Sequence, residues 1–218
     1  MRCRNLKVLK ISLEKRWHHA VKEAASLVKQ GGLIVYPTDT VYGLGGDPFN
    51  KEAVKKVFKV KQRRDKPLPI LCSSISGVEQ IAYVPEWLRP KLDLVWPGPV
   101  TLILKKKPSL PEIVTCGRED VGVRIPGMGF TLELIKACGG FLVGTSANIS
   151  GAPPPSTVDE ALAQLKEEIS LVIDAGPTPL KISSTVIDLT MQPPRVLREG
   201  YLAGAELRKL LEELTQHE

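Results

Sequence analysis

Histidine is scarce in this chain. His18, His19 and His217 are the only three in 218 residues, and all lie near the ends. A Ser-His-Asp triad and a His-ligated metal centre are therefore excluded as readings, and an enzyme built on this chain works without a histidine base. The four cysteines, Cys3, Cys72, Cys116 and Cys138, contain no C-x-x-C pair. That spacing argues against a zinc knuckle and a redox dithiol, and no metal ligand set is expected. Cys72 and Cys138 sit in apolar surroundings and read as small core residues. No apolar run approaches the roughly 18 residues of a membrane helix, and the basic start Met1-Arg2-Cys3-Arg4 lacks the apolar stretch of an export signal. The expectation is a cytoplasmic protein with no membrane contact and no disulfide framework. A G-x-x-x-x-G-K-[ST] phosphate loop is also missing, and Gly43-x-Gly45 followed by Pro48 fails the dinucleotide fingerprint.

What is present is the composition of a globular domain, 43% apolar and 25% charged. A chain of this length can bury roughly 70% of its unfolded surface in one domain. Thirty basic against 24 acidic residues give a net charge of +6, which favours anionic partners such as nucleotides or RNA. The positive charge is densest at Lys61-Gln62-Arg63-Arg64-Asp65-Lys66 and at Lys105-Lys106-Lys107, the second of which reads as a solvated turn.

Apolar periodicity predicts helices over 17–30, 52–60, 85–94, 131–138, 157 to about 167, and 203–214. Thr157-x-x-Glu160 is a capping-box match opening the fifth of these. Apolar and β-branched runs predict strands at 33–36, 68–71, 100–104, 121–125, 141–144, 171–173, 185–187 and 196–197. Alternating strands and helices imply a single α/β domain around one twisted mixed sheet.

The run Gly32-Leu33-Ile34-Val35-Tyr36-Pro37-Thr38-Asp39-Thr40-Val41-Tyr42-Gly43-Leu44-Gly45-Gly46 feeds a strand into a loop crowded with hydroxyls and glycines. Such a loop reads either as an ordinary Gly-rich turn or as one wall of a cleft whose glycines let a ligand approach the backbone. Other polar residues gather at expected strand ends: Lys61 and Arg63, Arg124, Ser146 and Asn148, Ser183-Ser184, and Arg198. In open α/β sheets these ends build the ligand crevice, and cations with hydroxyl and amide donors suit a triphosphate and a carboxylate.

PTDTVYGLGG, K-Q-R at Lys61 to Arg63, KPLPIL, WPGPVTLIL, VGVRIP, TSANISG, STVIDL and LREG occur in that order. The chain thereby resembles the YrdC-type L-threonylcarbamoyladenylate synthase family over roughly residues 17–200. The resemblance implies a YrdC-like fold with a basic cleft, an N-terminal extension over 1–16 and a catalytic domain over 17–218. It implies an ATP-dependent nucleotidyl transfer in which L-threonine, bicarbonate and ATP give threonylcarbamoyl-AMP and pyrophosphate, for the threonylcarbamoyl modification of tRNA. Mg²⁺ bound through the phosphates and a separate transferase that carries the product to tRNA are further implied partners. By motif, Lys61 and Arg63 are the catalytic cations, and Lys61, Arg63, Ser146, Asn148, Ser156 and Arg198 surround the nucleotide. Thr38, Arg124 and Ser184 are the implied threonine contacts, Arg124 gripping the carboxylate.

Departures from the family pattern are also legible. The segment after Lys61 is one residue shorter than the usual K-G-R-x-x-x-K-P-L form, so either Arg63 or Arg64 is the phosphate ligand. The sequence closes soon after LREG, as expected of a single-domain member. The alternative function is a non-catalytic module that binds tRNA or double-stranded RNA through the same cleft. An aromatic content of only 5% and the lack of an RNP-type or KH-type motif weigh against it.

Overall fold

The computed structural model describes residues 6–14, 17–165 and 168–216. In chain order it contains β1 (Lys7–Lys10), α1 (His18–Lys29), β2 (Leu33–Tyr36), β3 (Gly43–Gly45), α2 (Lys51–Val60), β4 (Ile70–Cys72) and α3 (Ile75–Ile81). A 3₁₀ helix (Glu86–Leu94) leads to β5 (Val100–Lys105), α4 (Glu112–Thr115), β6 (Asp120–Arg124), α5 (Gly129–Ala137), β7 (Phe141–Val143) and β8 (Thr145–Ser146). The remainder is α6 (Val158–Gln164), β9 (Ile169–Asp174), β10 (Thr185–Asp188), β11 (Arg195–Arg198) and α7 (Gly204–Thr215). None of the described helices is long and apolar enough to cross a membrane.

The helix starts follow their caps. Asn50 accepts from the N–H groups of Glu52 and Ala53 to open α2, and Thr157 accepts from Glu160 to open α6. The carboxylate of Glu160 folds back onto Ser156, taking hydrogen bonds from its N–H and its hydroxyl. The expected end of this helix at Glu167 lies outside the described residues, as do Cys3 and His217; Gln164 closes α6 and Leu165 is extended. The expected strand at 68–71 begins two residues late because Pro67 and Pro69 cannot donate to a ladder.

The α/β class with mixed strand pairing is as expected, but the strands divide into two sheets. One has the order β1-β9-β2-β3-β8 and the other β11-β10-β5-β6-β4-β7. The chain crosses between them at Gly144, since β7 pairs with β4 while β8 pairs with β3. A Cβ at Gly144 would lie 2.5 Å from Leu71 Cγ, so only glycine fits at this corner. Residues 7–10, within the expected N-terminal extension, form the edge strand β1 and pair in parallel with β9.

Strand β2 is buried on both faces. Leu33 and Val35 pack into the larger core with Val54 and Val57 of α2, whereas Ile34 and Tyr36 pack with Val21, Ala24 and Val28 of α1 and Leu134 and Ile135 of α5. This is why it reads as a continuous apolar run. The Tyr36 ring lies flat against β3, where a Cβ at Gly43 would come within 2.7 Å of Tyr36 Cζ and one at Gly45 within 2.6 Å of Cε1. Two glycines of the opening motif therefore serve the packing of an aromatic ring.

Candidate active site

A cavity of about 570 Å³ lies between the two sheets. Its floor is one face of the second sheet, and strand alternation selects what it presents. Thr101 and Ile103 of β5 face the cavity while Val100, Leu102 and Leu104 enter the core. On β6, Asp120, Gly122 and Arg124 face the cavity while Val121 and Val123 turn inward. The walls come from the segment between Tyr36 and Gly43, from Gly144 to Ser146, and from Arg63, Lys66, Pro67 and Pro69.

Arg124 is buried and held from three sides. Its Nε donates to Gly98 O (2.8 Å), Nη1 to Thr40 Oγ1 (2.9 Å) and Nη2 to Asp39 Oδ1 (2.5 Å). Burial pulls the guanidinium pKa down and the Asp39 carboxylate opposes it. The Thr38–Thr40 turn is clasped in its own right. Thr38 Oγ1 accepts from the N–H groups of Thr40 and Val41, Thr178 Oγ1 donates to Thr40 O, and Leu180 N–H donates to Asp39 O.

Ser184 and Arg198 form a second cluster. Arg198 donates from Nε to Ser184 O (3.0 Å) and from Nη2 to Ser184 Oγ (3.1 Å), and the Ser184 hydroxyl also bonds that of Thr101 (2.8 Å). Arg63 reaches the cavity because α2 ends in a Schellman turn. Gln62 N–H donates to Lys59 O and Arg63 N–H to Phe58 O, with Gln62 at φ +49° where glycine is usual. The Arg63 guanidinium then donates to Lys66 O (2.8 Å) and Pro67 O (2.6 Å). Arg64 is exposed and does not line the cavity, so of the two candidate arginines Arg63 is the one that faces it.

Of the residues singled out in sequence, the cavity brings together Thr38, Arg63, Arg124, Ser146, Ser184 and Arg198. Lys61, Asn148 and Ser156 are not among its lining residues. Lys61 is 1% exposed, and its Nζ donates to Ser146 O (2.5 Å) and Asn148 O (2.7 Å). Burial, reinforced by the charge of Arg63, pushes its pKa down to about 7. Asn148 turns its Nδ2 to Ile149 O and Ala152 O while its Oδ1 accepts from the Ser146 hydroxyl.

Several lining residues escaped the sequence reading: Tyr36, Lys66, Thr101, Arg118 and Asp120. Asp39, the counter-ion of Arg124, was read only as part of its loop. Asp120 was within reach, because it stands four residues before Arg124 on the same face of one strand. Among the lining residues, Arg63, Lys66, Arg118, Arg124 and Arg198 face a single carboxylate, Asp120. No group of three or more His, Cys, Asp or Glu able to hold a metal occurs among the described residues.

The comparisons with known proteins converge. Residues 26–200 match the family model described as Sua5_yciO_yrdC, telomere recombination. A threonylcarbamoyl-AMP synthase of Pyrococcus abyssi is 38% identical over 199 residues, covering 90% of this chain and 58% of that protein. The structure of P. abyssi Sua5 complexed with L-threonine superposes with a TM-score of 0.87 at 35% identity, over 94% of this chain and 60% of that one. E. coli YciO superposes with a TM-score of 0.80 at 27% identity, over 90% of this chain and 95% of its own. The chain thus spans about three-fifths of the length of its P. abyssi relative and nearly all of YciO. Motif order and overall architecture agree with a family match that covers most of the sequence: the chain belongs to the Sua5/YciO/YrdC family.

Proposed function

We propose that this chain is a threonylcarbamoyl-AMP synthase, joining L-threonine, bicarbonate and ATP and releasing pyrophosphate. The observation that carries the reading is the convergence of Arg63, Arg124 and Arg198 with the hydroxyl groups of Thr38, Ser146 and Ser184 on one cavity. It stands in a family whose P. abyssi member has been seen with L-threonine.

The threonine amine and bicarbonate give a carbamate with loss of water. The carbamate oxygen attacks the α-phosphorus of ATP, and the bond to the β-phosphate oxygen breaks to release pyrophosphate. Charge grows on the non-bridging and leaving oxygens, so fixed cations matter more than an acid–base pair. Arg63, Ser146 and Arg198 are assigned to the phosphates, and Thr38, Arg124 and Ser184 to threonine. Arg124 has five N–H donors and uses three on the protein, which leaves two for the amino-acid carboxylate. Ser156, tied to Glu160, stands outside this set.

Mg²⁺ fits a site of this donor composition when it arrives with the nucleotide. It keeps several waters, needs only one or two carboxylates, and Asp120 is the lining carboxylate available. Bound with the nucleotide, it would neutralise phosphate charge. The reading assigns catalysis to residues 17–218 and includes a cytoplasmic setting and a separate transferase that delivers the threonylcarbamoyl group to tRNA.

Incubation with ATP, L-threonine and labelled bicarbonate is expected to give threonine-dependent pyrophosphate release and a labelled adenylate. Salt-sensitive RNA binding with no such release would refute the synthase reading in favour of an RNA-binding module.

A further inference from the structure

Lys61 is a buried amine behind the cavity wall. Three contacts tie it to one turn some eighty-five residues later in the chain. Its Nζ donates to Ser146 O and Asn148 O, and its own carbonyl accepts from Ser150 N–H at 2.9 Å. The turn carries Ser146 into the cavity, while the Asn148 side chain is spent within the turn on Ile149 O, Ala152 O and the Ser146 hydroxyl. The backbone of Lys61 is fixed in turn as the C-cap residue of α2, just ahead of the Schellman closure. The four residues Lys61, Arg63, Ser146 and Asn148 therefore divide by geometry into two that face the cavity and two that frame it.

We propose that Lys61 is a positioning residue: it acts through the 145–150 turn, setting where the Ser146 hydroxyl meets a bound nucleotide, and makes no contact of its own with the reacting atoms. The assignment of Ser146 to the phosphates rests on the synthase reading above.

Two residues that act through one turn are coupled, whereas two independent phosphate contacts multiply. The test is a double-mutant cycle in threonine-dependent pyrophosphate release, using Lys61→Met, which retains the apolar stem, and Ser146→Ala. Each single variant is expected to lose on the order of tenfold or more in kcat/KM for ATP. The double variant is expected to fall within about twofold of the weaker single variant. Losses that multiply would overturn the proposal. Should Lys61→Met fail to fold, Lys61→Gln, whose shorter side chain cannot hold both carbonyls, carries the same cycle.

A second measurement is independent of turnover. Hydrogen exchange in peptides covering 145–151 is expected to accelerate about tenfold or more in the Lys61 variant, with β2 and β5 unchanged. Unchanged exchange across 145–151 would overturn the proposal even in an active enzyme. A wild-type chain with no threonine-dependent release would refute the synthase reading instead, and exchange would still decide whether Lys61 holds the turn.

Discussion

Removing the Asp39 carboxylate isolates one buried charge. Asp39 and Arg124 are 7% and 5% exposed, and they form an ion pair at 2.5 Å. In Asp39→Ala the guanidinium keeps two neutral acceptors, Gly98 O and Thr40 Oγ1, but loses its counter-ion at a largely buried position. Breaking one side of such a pair costs about 3–5 kcal/mol. With an unfolding entropy of about 2.1 cal/mol/K per residue over 218 residues, each kcal/mol shifts the midpoint by roughly 2 °C. The expected drop in Tm is therefore about 6–10 °C, read by calorimetry or circular dichroism. The companion Asp39→Ala/Arg124→Met removes both charges and is expected to recover much of the loss, since an apolar replacement of a buried pair is often neutral. A single variant within about 1 kcal/mol of wild type, or a double variant no better than the single, would refute the reasoning.

Other perturbations probe separate features. Gly43→Ala brings a methyl to 2.7 Å from Tyr36 Cζ, and overpacking of this kind is expected to cost about 1–3 kcal/mol in urea denaturation; no measurable loss would show that the ring yields freely. Gln62→Gly relieves a left-handed residue at φ +49° and is expected to stabilise by about 0.5–1 kcal/mol, whereas a loss would reveal a role for the Gln62 side chain. Arg63→Ala should lower pyrophosphate release about a hundredfold, roughly 3 kcal/mol, and Arg64→Ala should leave it near wild type; equal losses would undo the assignment of Arg63. Burial lowers Lys61 from 10.5 to about 7, so between those pH values the unfolded chain holds a proton that the folded chain does not. Its contribution therefore destabilises the fold as pH falls through that window, by up to about 1.4 kcal/mol per unit, and levels off below about 7. Denaturation at pH 9 and pH 7 is expected to show Lys61→Met gaining on wild type at the lower pH; a constant gap would contradict the shift.

The legible parts of this fold are those whose pattern is local. β5 and β6 announce themselves as β-branched runs, and the alternation that buries Val121 and Val123 also turns Arg124 toward the cavity. Asn50 and Thr157 open their helices by short-range hydrogen bonds. What escaped depends on distant partners. β3 and β8 are three and two residues of glycine, leucine and hydroxyl side chains, and they become strands only by pairing with each other and with β2. Without them the two sheets read as one. α3 was hidden by Gly77, which lies inside the helix that Ser74 caps. Nothing near Lys61 marks it as buried while its neighbour Gln62 is exposed, because its burial is made by the turn at 145–150. Gly43 does line the cavity, but what both it and Gly45 accommodate is the ring of Tyr36, seven and nine residues earlier, which no local pattern announces.

The crossing at Gly144 and the Asp39–Arg124 pair share a mechanical consequence. Asp39 belongs to the loop joining β2 to β3 in the first sheet, and Arg124 ends β6 in the second. Leu71 stands beside Arg124 in register and also presses on Gly144, where the chain passes between the sheets. The sheets are thus stapled across the cavity by a charge pair, and beside it by the chain itself where it crosses at Gly144. The spacing of the walls is thereby set by a buried ion pair and a packed corner, and a close-packed interior transmits strain rather than absorbing it. What fits between them is limited by its thickness and by where its charges fall against Arg63, Arg124 and Arg198.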